Sequence, residues 1–164
     1  MFKKLLAIVC ALTLVSACAS KQDGADIYGN GNGGWNKDVD ISSLEATGLT
    51  KAFNADTTPV VYFKLNSSDL CPKAKAELAK QAEWLKNHPR ALIVIEGNCD
   101  ERGTTEYNFA LGERRANAAR RYLIANGVAA DRIRTISYGK EKPVATGSNE
   151  EAWAKNRNAT TVAY

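Results

Sequence analysis

Residues 96–108 read EGNCDERGTTEYN and mark the point where a buried strand gives way to a helix. The preceding run at 91–95, ALIVI, has the continuous apolar character of a strand covered on both faces. Gly97 and Gly103 allow the chain to turn tightly between the two elements. The pattern therefore predicts that Asp100 places a carboxylate in a turn at the sheet edge, near the positive end of a helix, where ligands commonly bind in layered folds.

The alternation of strand and helix continues on both sides of this turn. Residue types and periodicity predict helices from Pro72 to His88, from about Thr105 to Asn126 and at 150–156. Strands are predicted at 60–63, 91–95, 132–138 and 159–164 from their β-branched and aromatic content. The order β-α-β-α-β-α-β predicts an α+β two-layer sandwich with the helices on one face of the sheet.

The N-terminus has the pattern of a secretion signal. Residues 1–17 combine Lys3 and Lys4 with an apolar stretch at 5–15 that is too short to span a bilayer. The run LVSAC at 14–18 resembles the lipobox of bacterial lipoproteins, which implies that Cys18 becomes the lipidated first residue of the mature chain. An ordinary signal peptide followed by a chance cysteine is the alternative. Residue 19 is not the Asp that retains such lipoproteins in the inner membrane, which favours an outer-membrane anchor facing the periplasm.

A tether is expected between the lipidated N-terminus and the folded domain. Residues 23–35 are rich in Gly and Asn and contain too few apolar groups to offset the entropy of ordering. We expect a signal peptide at 1–17, a lipidated N-terminus and flexible linker at 18–57, and a folded domain at 58–164. Four scattered apolar residues of the linker could dock on the domain: Ile41, Leu44, Leu49 and Phe53.

The second predicted helix carries a charge inside its apolar face. That face comprises Leu111, Ala118, Tyr122 and Ala125, and Arg115 falls in its middle. Asn108 projects from nearly the same side. A guanidinium on an inward face is costly unless it meets an anion.

Two hypotheses explain the inward arginine. In the first, Arg115 forms a structural salt bridge with Asp100 or Glu96. In the second, Asp100, Asn108 and Arg115 line one pocket for a zwitterion, whose ammonium binds Asp100 and whose carboxylate binds Arg115 through a bidentate fork.

Other functional classes find little support in the sequence. The net charge of +4 falls to +2 without Lys3 and Lys4, and no dense basic patch predicts nucleic-acid binding. Asp100 and Glu101 are adjacent, whereas glycosidase carboxylates face each other across a bond. The single histidine, His88, precedes a proline at a helix end. No cysteine and histidine spacing predicts a metal site or a nucleophile with its base, so we expect neither enzymatic activity nor a cofactor.

Several motifs together resemble a known family. They are the stretch from 96 to 121, YGKEKP at 138–143 and KNR at 155–157. Residues 60–164 closely resemble the peptidoglycan-associated lipoproteins, a branch of the OmpA-like C-terminal domain family. The resemblance implies helices packed on a mixed sheet. It also implies that Asp100 and Arg115, with Asn108 nearby, hold the free amino-acid end of meso-diaminopimelate in the peptide stem.

The same resemblance implies a role in the cell envelope. Members bind peptidoglycan non-covalently, tether the outer membrane to the wall, and act with TolB and other Tol proteins in envelope integrity and cell division. Thr160 and Thr161 make the last strand less apolar than is usual in the family, and the chain departs from the family at two further places. Asn66, beside Lys64, stands where the first-strand loop usually has an acidic residue, and Asn158 stands where a second consecutive arginine is usual.

The two cysteines of the domain are a candidate disulfide. Cys10 leaves with the signal and Cys18 is lipidated, which leaves Cys71 and Cys99 in an oxidising periplasm. Each follows one of the first two strands by a few residues. Because strands of a β-α-β unit are parallel and commonly adjacent, their ends should lie side by side. The alternative is that both remain unpaired thiols.

Overall fold

The computed structural model describes residues 48–164, which form four α-helices and a four-stranded sheet. In chain order the elements are α1 (Gly48–Asp56), β1 (Val60–Tyr62), α2 (Pro72–Asn87), β2 (Ile93–Asn98), α3 (Thr105–Ala125), β3 (Ile133–Gly139), α4 (Glu150–Asn156) and β4 (Asn158–Ala163). From β1 onward this order confirms the predicted α+β sandwich. The predicted signal peptide, Cys18 and most of the linker lie outside the described residues.

The sheet is mixed, and its strand order is β1-β4-β2-β3. β2 and β3 are parallel, with Ile93 opposite Ile133, while β4 runs antiparallel to both β1 and β2. The last strand of the chain therefore lies between the first two. The expectation that β1 and β2 are neighbours was wrong, because strand order depends on pairing between distant segments that no local pattern encodes.

One hydrophobic core joins the sheet to α2 and α3. Alternate residues of β2 and β4 contribute to it, as a strand with one face against helices requires. On the helix side the core contains Leu78 and Leu85 of α2 together with Ala116, Ala119 and Leu123 of α3. The fully buried Gln81 of α2 fits there because its amide nitrogen donates to the Thr58 carbonyl and its amide oxygen accepts from the Thr161 hydroxyl.

The helix boundaries follow from local chemistry. Pro72 occupies the first turn of α2, and the Cys71 sulfur accepts from the Ala74 N–H at 3.5 Å as the N-cap. At the other end of α2, the Arg132 guanidinium donates to the carbonyls of Leu85 and His88. Thr104 caps α3 by accepting from the Tyr107 N–H.

The chain folds earlier than the predicted domain boundary at residue 58. Residues 48–56 of the predicted flexible linker form α1, which lies against the domain. Phe53 is fully buried and packs edge-on against the Trp84 ring of α2, with ring centroids 5.0 Å apart. Leu49 also packs against the core, so two of the four proposed docking residues do dock. The other two, Ile41 and Leu44, lie outside the described residues.

None of the helices between residues 48 and 164 is long and apolar enough to cross a membrane.

Candidate functional site

The turn between β2 and α3 is held from both sides. The Asp100 carboxylate accepts from the Arg102 backbone N–H at 3.1 Å, which closes the start of the turn. The Asn108 side-chain amide donates to the carbonyls of Arg102 and Thr104 at 2.8 and 3.1 Å. Gly103 has φ +93°, a conformation that favours glycine. Asn108, predicted as a pocket residue, thus also fixes the turn that carries Asp100.

Asp100 is buried between two arginines. Arg102 Nε and Nη2 donate to its two carboxylate oxygens at 3.1 and 2.7 Å, and Arg157 Nη1 donates to Oδ2 at 3.2 Å. Only 5% of the Asp100 side chain is exposed. Burial by itself would raise the pKa of this carboxyl, but the hydrogen bonds from Arg102 and Arg157 outweigh it and hold the pKa below its ordinary value. Asp100 is therefore an anion at neutral pH.

Arg115 is buried to 1% exposure and donates to uncharged groups. Its Nε donates to the Ser67 carbonyl at 3.0 Å, and its Nη2 donates to the Lys64 carbonyl at 3.2 Å. Nη1 donates to the Asn98 carbonyl at 2.7 Å and to the Cys99 sulfur at 3.3 Å. Burial lowers the pKa of Arg115, although a guanidinium stays protonated at any physiological pH.

The hypothesis of a salt bridge from Arg115 to Asp100 or Glu96 is wrong in this structure. Asp100 pairs with Arg102 and Arg157 instead. Glu96 pairs with Lys142 at 3.1 Å. Among the described residues, no carboxylate lies within ion-pair distance of Arg115.

Asp100, Asn108 and Arg115 line a single cleft at the carboxyl end of β2. The loop after β1 supplies its outer rim, where Leu65 is 51% exposed and Asn66 adopts φ +52°. Asparagine tolerates this left-handed conformation better than most residues. The complete lining comprises Leu65, Asn66, Cys99, Asp100, Arg102, Asn108, Leu111, Arg115 and Arg157. The structure therefore places in one cleft the three polar side chains that the sequence assigned to one pocket.

Sequence reasoning missed Arg102 and Arg157 as parts of the site. Arg102 lies two residues after Asp100. An aspartate side chain often accepts from the backbone N–H two residues later, so the sequence contained a signal that Arg102 lies beside Asp100. Arg157 has no such signal, because it reaches Asp100 only through the placement of β4 beside β2. The next residue, Asn158, fills the position of the expected second arginine and accepts from the Asn98 amide at 2.9 Å.

The structure does not contain the predicted disulfide between Cys71 and Cys99, and both are free cysteines. β4 separates the two strands that precede them, so the loops that carry the cysteines are one strand apart. Each sulfur also has its own partners. Cys71 caps α2, and the buried Cys99 thiol donates to the Asn108 carbonyl at 3.3 Å.

The described residues offer no metal site: none of the groups of His, Cys, Asp or Glu between 48 and 164 could hold an ion. The site is thus a cleft that contains one buried carboxylate, the two arginines that pair with it, and the buried guanidinium of Arg115, which has no carboxylate partner among the described residues. Such a cleft can bind a molecule that carries both charges.

Residues 62–157 match the model of the OmpA family, and the chain belongs to this family. Within it, the chain is similar over most of its length to proteins named peptidoglycan-associated lipoprotein. It is 44% identical to the one from Pseudomonas aeruginosa, over 95% of this chain and 94% of that protein. It is 41% identical to the one from Mesorhizobium japonicum, over 92% of this chain and 86% of that protein.

A solved structure agrees with these relatives. The crystal structure of the peptidoglycan-associated lipoprotein from Burkholderia pseudomallei superposes with a TM-score of 0.64 at 47% identity, covering 65% of this chain and 91% of that chain. The fold and the sequence motifs therefore lead to the same family.

Proposed function

We propose that this protein binds peptidoglycan without cleaving it, through the free amino-acid end of meso-diaminopimelate in the stem peptide. The ammonium group would bind at Asp100 and the carboxylate at Arg115, with Asn108 shaping the turn between them. The observation that carries the proposal is a buried guanidinium without a carboxylate partner among residues 48–164, in the same cleft as a buried carboxylate.

The contacts of Arg115 favour the carboxylate end of a zwitterionic ligand in this cleft. The partners of Arg115 are carbonyls and a thiol, so no anion neutralises its charge through direct contact within the described domain. A ligand carboxylate would gain charge-assisted hydrogen bonds there by replacing carbonyls that now accept from Arg115. Asp100 is ionised at neutral pH because its pKa is lowered, and it can receive a ligand cation in exchange for one of the arginine guanidiniums that pair with it.

The same titration behaviour supports binding rather than catalysis. A glycosidase needs one carboxylic acid whose pKa is raised, so that it can protonate the leaving oxygen. The pKa of Asp100 is lowered, and so is that of Glu101, whose carboxylate accepts from the Trp153 indole N–H. Neither group is suited to the role of general acid.

The cellular role follows from the family resemblance and the N-terminal motif. Cys18 would carry the lipid that anchors the protein in the outer membrane, and the domain would hold that membrane to the wall from the periplasm. TolB and other Tol proteins are the proposed partners in envelope integrity and cell division. The names of the relatives support association with peptidoglycan and the lipid anchor.

The anchor is tested by fractionation. Cys18→Ser should leave the precursor unlipidated, and the protein should then lose its association with the outer membrane. Acyl-chain labelling of the Cys18→Ser variant at the level of the unmodified protein would contradict the lipobox assignment.

The ligand is tested by co-sedimentation with purified sacculi. Asp100→Ala and Arg115→Ala should each weaken binding by roughly 1.5–3 kcal/mol, because each removes a charge-assisted contact. Arg121→Ala is the control for the second variant, since Arg121 is an exposed arginine on the same helix. Asp131→Ala is an exposed control for the first.

Two further measurements test which part of the stem peptide is bound and whether the wall is cleaved. Sacculi with lysine in place of diaminopimelate lack the distal carboxylate and should bind the unmodified protein poorly. The supernatant should contain no soluble wall fragments. Undiminished binding by both folded variants would refute the site, and released fragments would refute the binding-only function.

A further inference from the structure

The acceptor positions of Asp100 are already filled in the free protein. Oδ1 accepts from the backbone N–H and the Nε of Arg102, and Oδ2 accepts from Arg102 Nη2 and Arg157 Nη1. A carboxylate has about four lone-pair sites, so these contacts use its capacity. A ligand ammonium can reach Asp100 only by replacing one of the two arginine side chains.

Arg157 is the more firmly held of the two. Its side chain is 8% exposed, and it donates to the Phe63 carbonyl and, at 2.6 Å, to Glu150 as well as to Asp100. Its backbone carbonyl also accepts from the Phe63 N–H. Displacing the Arg157 side chain would also break its hydrogen bonds to the Phe63 carbonyl and to Glu150.

Arg102 is the more accessible arginine, with 33% of its side chain exposed. Apart from Asp100, its guanidinium contacts two groups on α4. It lies 4.0 Å from the centre of the Trp153 ring, and its Nη2 lies 4.0 Å from a Glu150 carboxylate oxygen. Both contacts are of kinds that attract a cation whether or not Asp100 is bound.

Trp153 and Glu150 can therefore hold the Arg102 guanidinium after it is displaced from Asp100. Trp153 is held in position because its indole N–H donates to Glu101 at 3.0 Å. Glu150 is largely exposed; its Oε1 accepts from Arg157, and its Oε2 faces Arg102. A small rotation of the Arg102 side chain would exchange its contact with Asp100 for closer contact with Glu150 while it stays on the Trp153 ring.

We propose that Arg102 determines specificity at this site: its guanidinium occupies the ammonium position on Asp100 until a cationic ligand group displaces it onto Trp153 and Glu150. The inference rests on the proposed binding of a diaminopimelate stem. A neutral group cannot replace the charge-assisted bonds that Arg102 gives up, so a ligand with a blocked amine is rejected. The internal cation therefore lowers affinity and raises selectivity for the free amine.

The test compares Arg102→Ala with the unmodified full-length protein. The probes are a soluble stem tripeptide that ends in meso-diaminopimelate and the same peptide with its distal amine acetylated. Arg102→Ala should bind the free-amine peptide roughly 3- to 10-fold more tightly, because no internal cation has to be displaced. Its preference for the free amine over the acetylated peptide should fall.

Tryptophan fluorescence provides a readout that a merely structural role of Arg102 would not change. Titration of the unmodified protein should alter the fluorescence of Trp153, identified by its loss in Trp153→Phe, and Arg102→Ala should abolish that change. Arg102→Gln retains an uncharged donor of similar length and supplies the same comparison should the alanine variant fail to fold.

The outcomes separate the inference from the proposed function. If the unmodified protein binds sacculi and the folded Arg102 variants bind the peptide no more tightly, or more weakly, Arg102 does not exclude the ligand and the inference is wrong. If neither the unmodified protein nor the variants bind sacculi or peptide, the proposed function itself is wrong. Tighter binding by the variants together with loss of amine selectivity supports the inference.

Discussion

Gly97 of β2 and Gly112 of α3 touch through their backbones. A Cβ added to Gly97 would overlap the Gly112 carbonyl, and a Cβ on Gly112 would lie 2.8 Å from the Gly97 carbonyl oxygen. α3 therefore rests directly on the strand that leads to Asp100. This contact fixes the distance of Asn108 and Arg115 from the end of β2. Asn108 lies about one turn before Gly112 on α3, and Arg115 lies about one turn after it.

Gly97→Ala should consequently damage both stability and binding. The added methyl group must push α3 away from the sheet, and overpacking of this kind typically costs about 1–3 kcal/mol. Gly48→Ala is the matched control, since nothing lies within 4 Å of a Cβ at that position, and a change within about 0.5 kcal/mol is expected there. Urea unfolding measures the first effect and sacculus co-sedimentation the second. Equal stability of the two variants would show that the helix and strand can separate without cost.

The stability of the domain should fall in acid because of Asp100. Its pKa is lower in the folded state than the ordinary value of 3.8, so the unfolded chain takes up this proton first as the pH drops. The ionised Asp100 contributes its full stabilisation at pH values above its pKa in the unfolded chain. This contribution is lost as the pH falls through its pKa in the folded protein. The free energy of unfolding should therefore decline from about pH 5 toward about pH 3, and more steeply than in Asp100→Asn. Identical acid limbs in the two proteins would contradict the inferred ion pairs.

The sequence predicted the part of the fold that depends on local patterns. Helices α2, α3 and α4 begin within a residue of their predicted starts, since Pro72, Thr105 and Glu150 each follow or form a recognisable helix start. The meeting of Asp100, Asn108 and Arg115 was predictable for a related reason. Two of them share one helix face, and the third lies in the turn directly before that helix.

The remaining features depend on contacts between distant parts of the chain. β4 is a central strand although it contains Thr160 and Thr161, and the buried Thr161 hydroxyl is accommodated by donating to Gln81. The sequence also did not predict which arginines pair with Asp100. Arg102, Arg115 and Arg157 all lie near that carboxylate, and only the placement of β4 and the bend of the turn decide which of them bind it.

Helix α1 should be an integral part of the domain despite its place in the predicted linker. Phe53→Ala removes a fully buried ring from its contact with Trp84 and should cost about 3–5 kcal/mol, as other buried phenylalanines do. Asn54→Ala changes the exposed neighbouring residue and should alter stability by no more than about 0.5 kcal/mol. Thermal unfolding of both variants provides the measurement. A Phe53→Ala variant as stable as the control would mean that α1 contributes nothing to the fold.

The two domain cysteines should differ sharply in reactivity, as two free thiols in different surroundings. Cys71 is exposed at the start of α2, whereas Cys99 is 3% exposed and burial raises the pKa of its thiol. In the mature protein, in which the proposed lipid would block the Cys18 thiol, a thiol reagent should therefore modify one cysteine rapidly in the native protein and the second only on unfolding. Cys71→Ser should remove the rapid phase alone. Material purified from the periplasm and denatured without reductant decides between the structure and the disulfide predicted from the sequence: two reactive thiols agree with the structure, and none would establish a Cys71–Cys99 bridge.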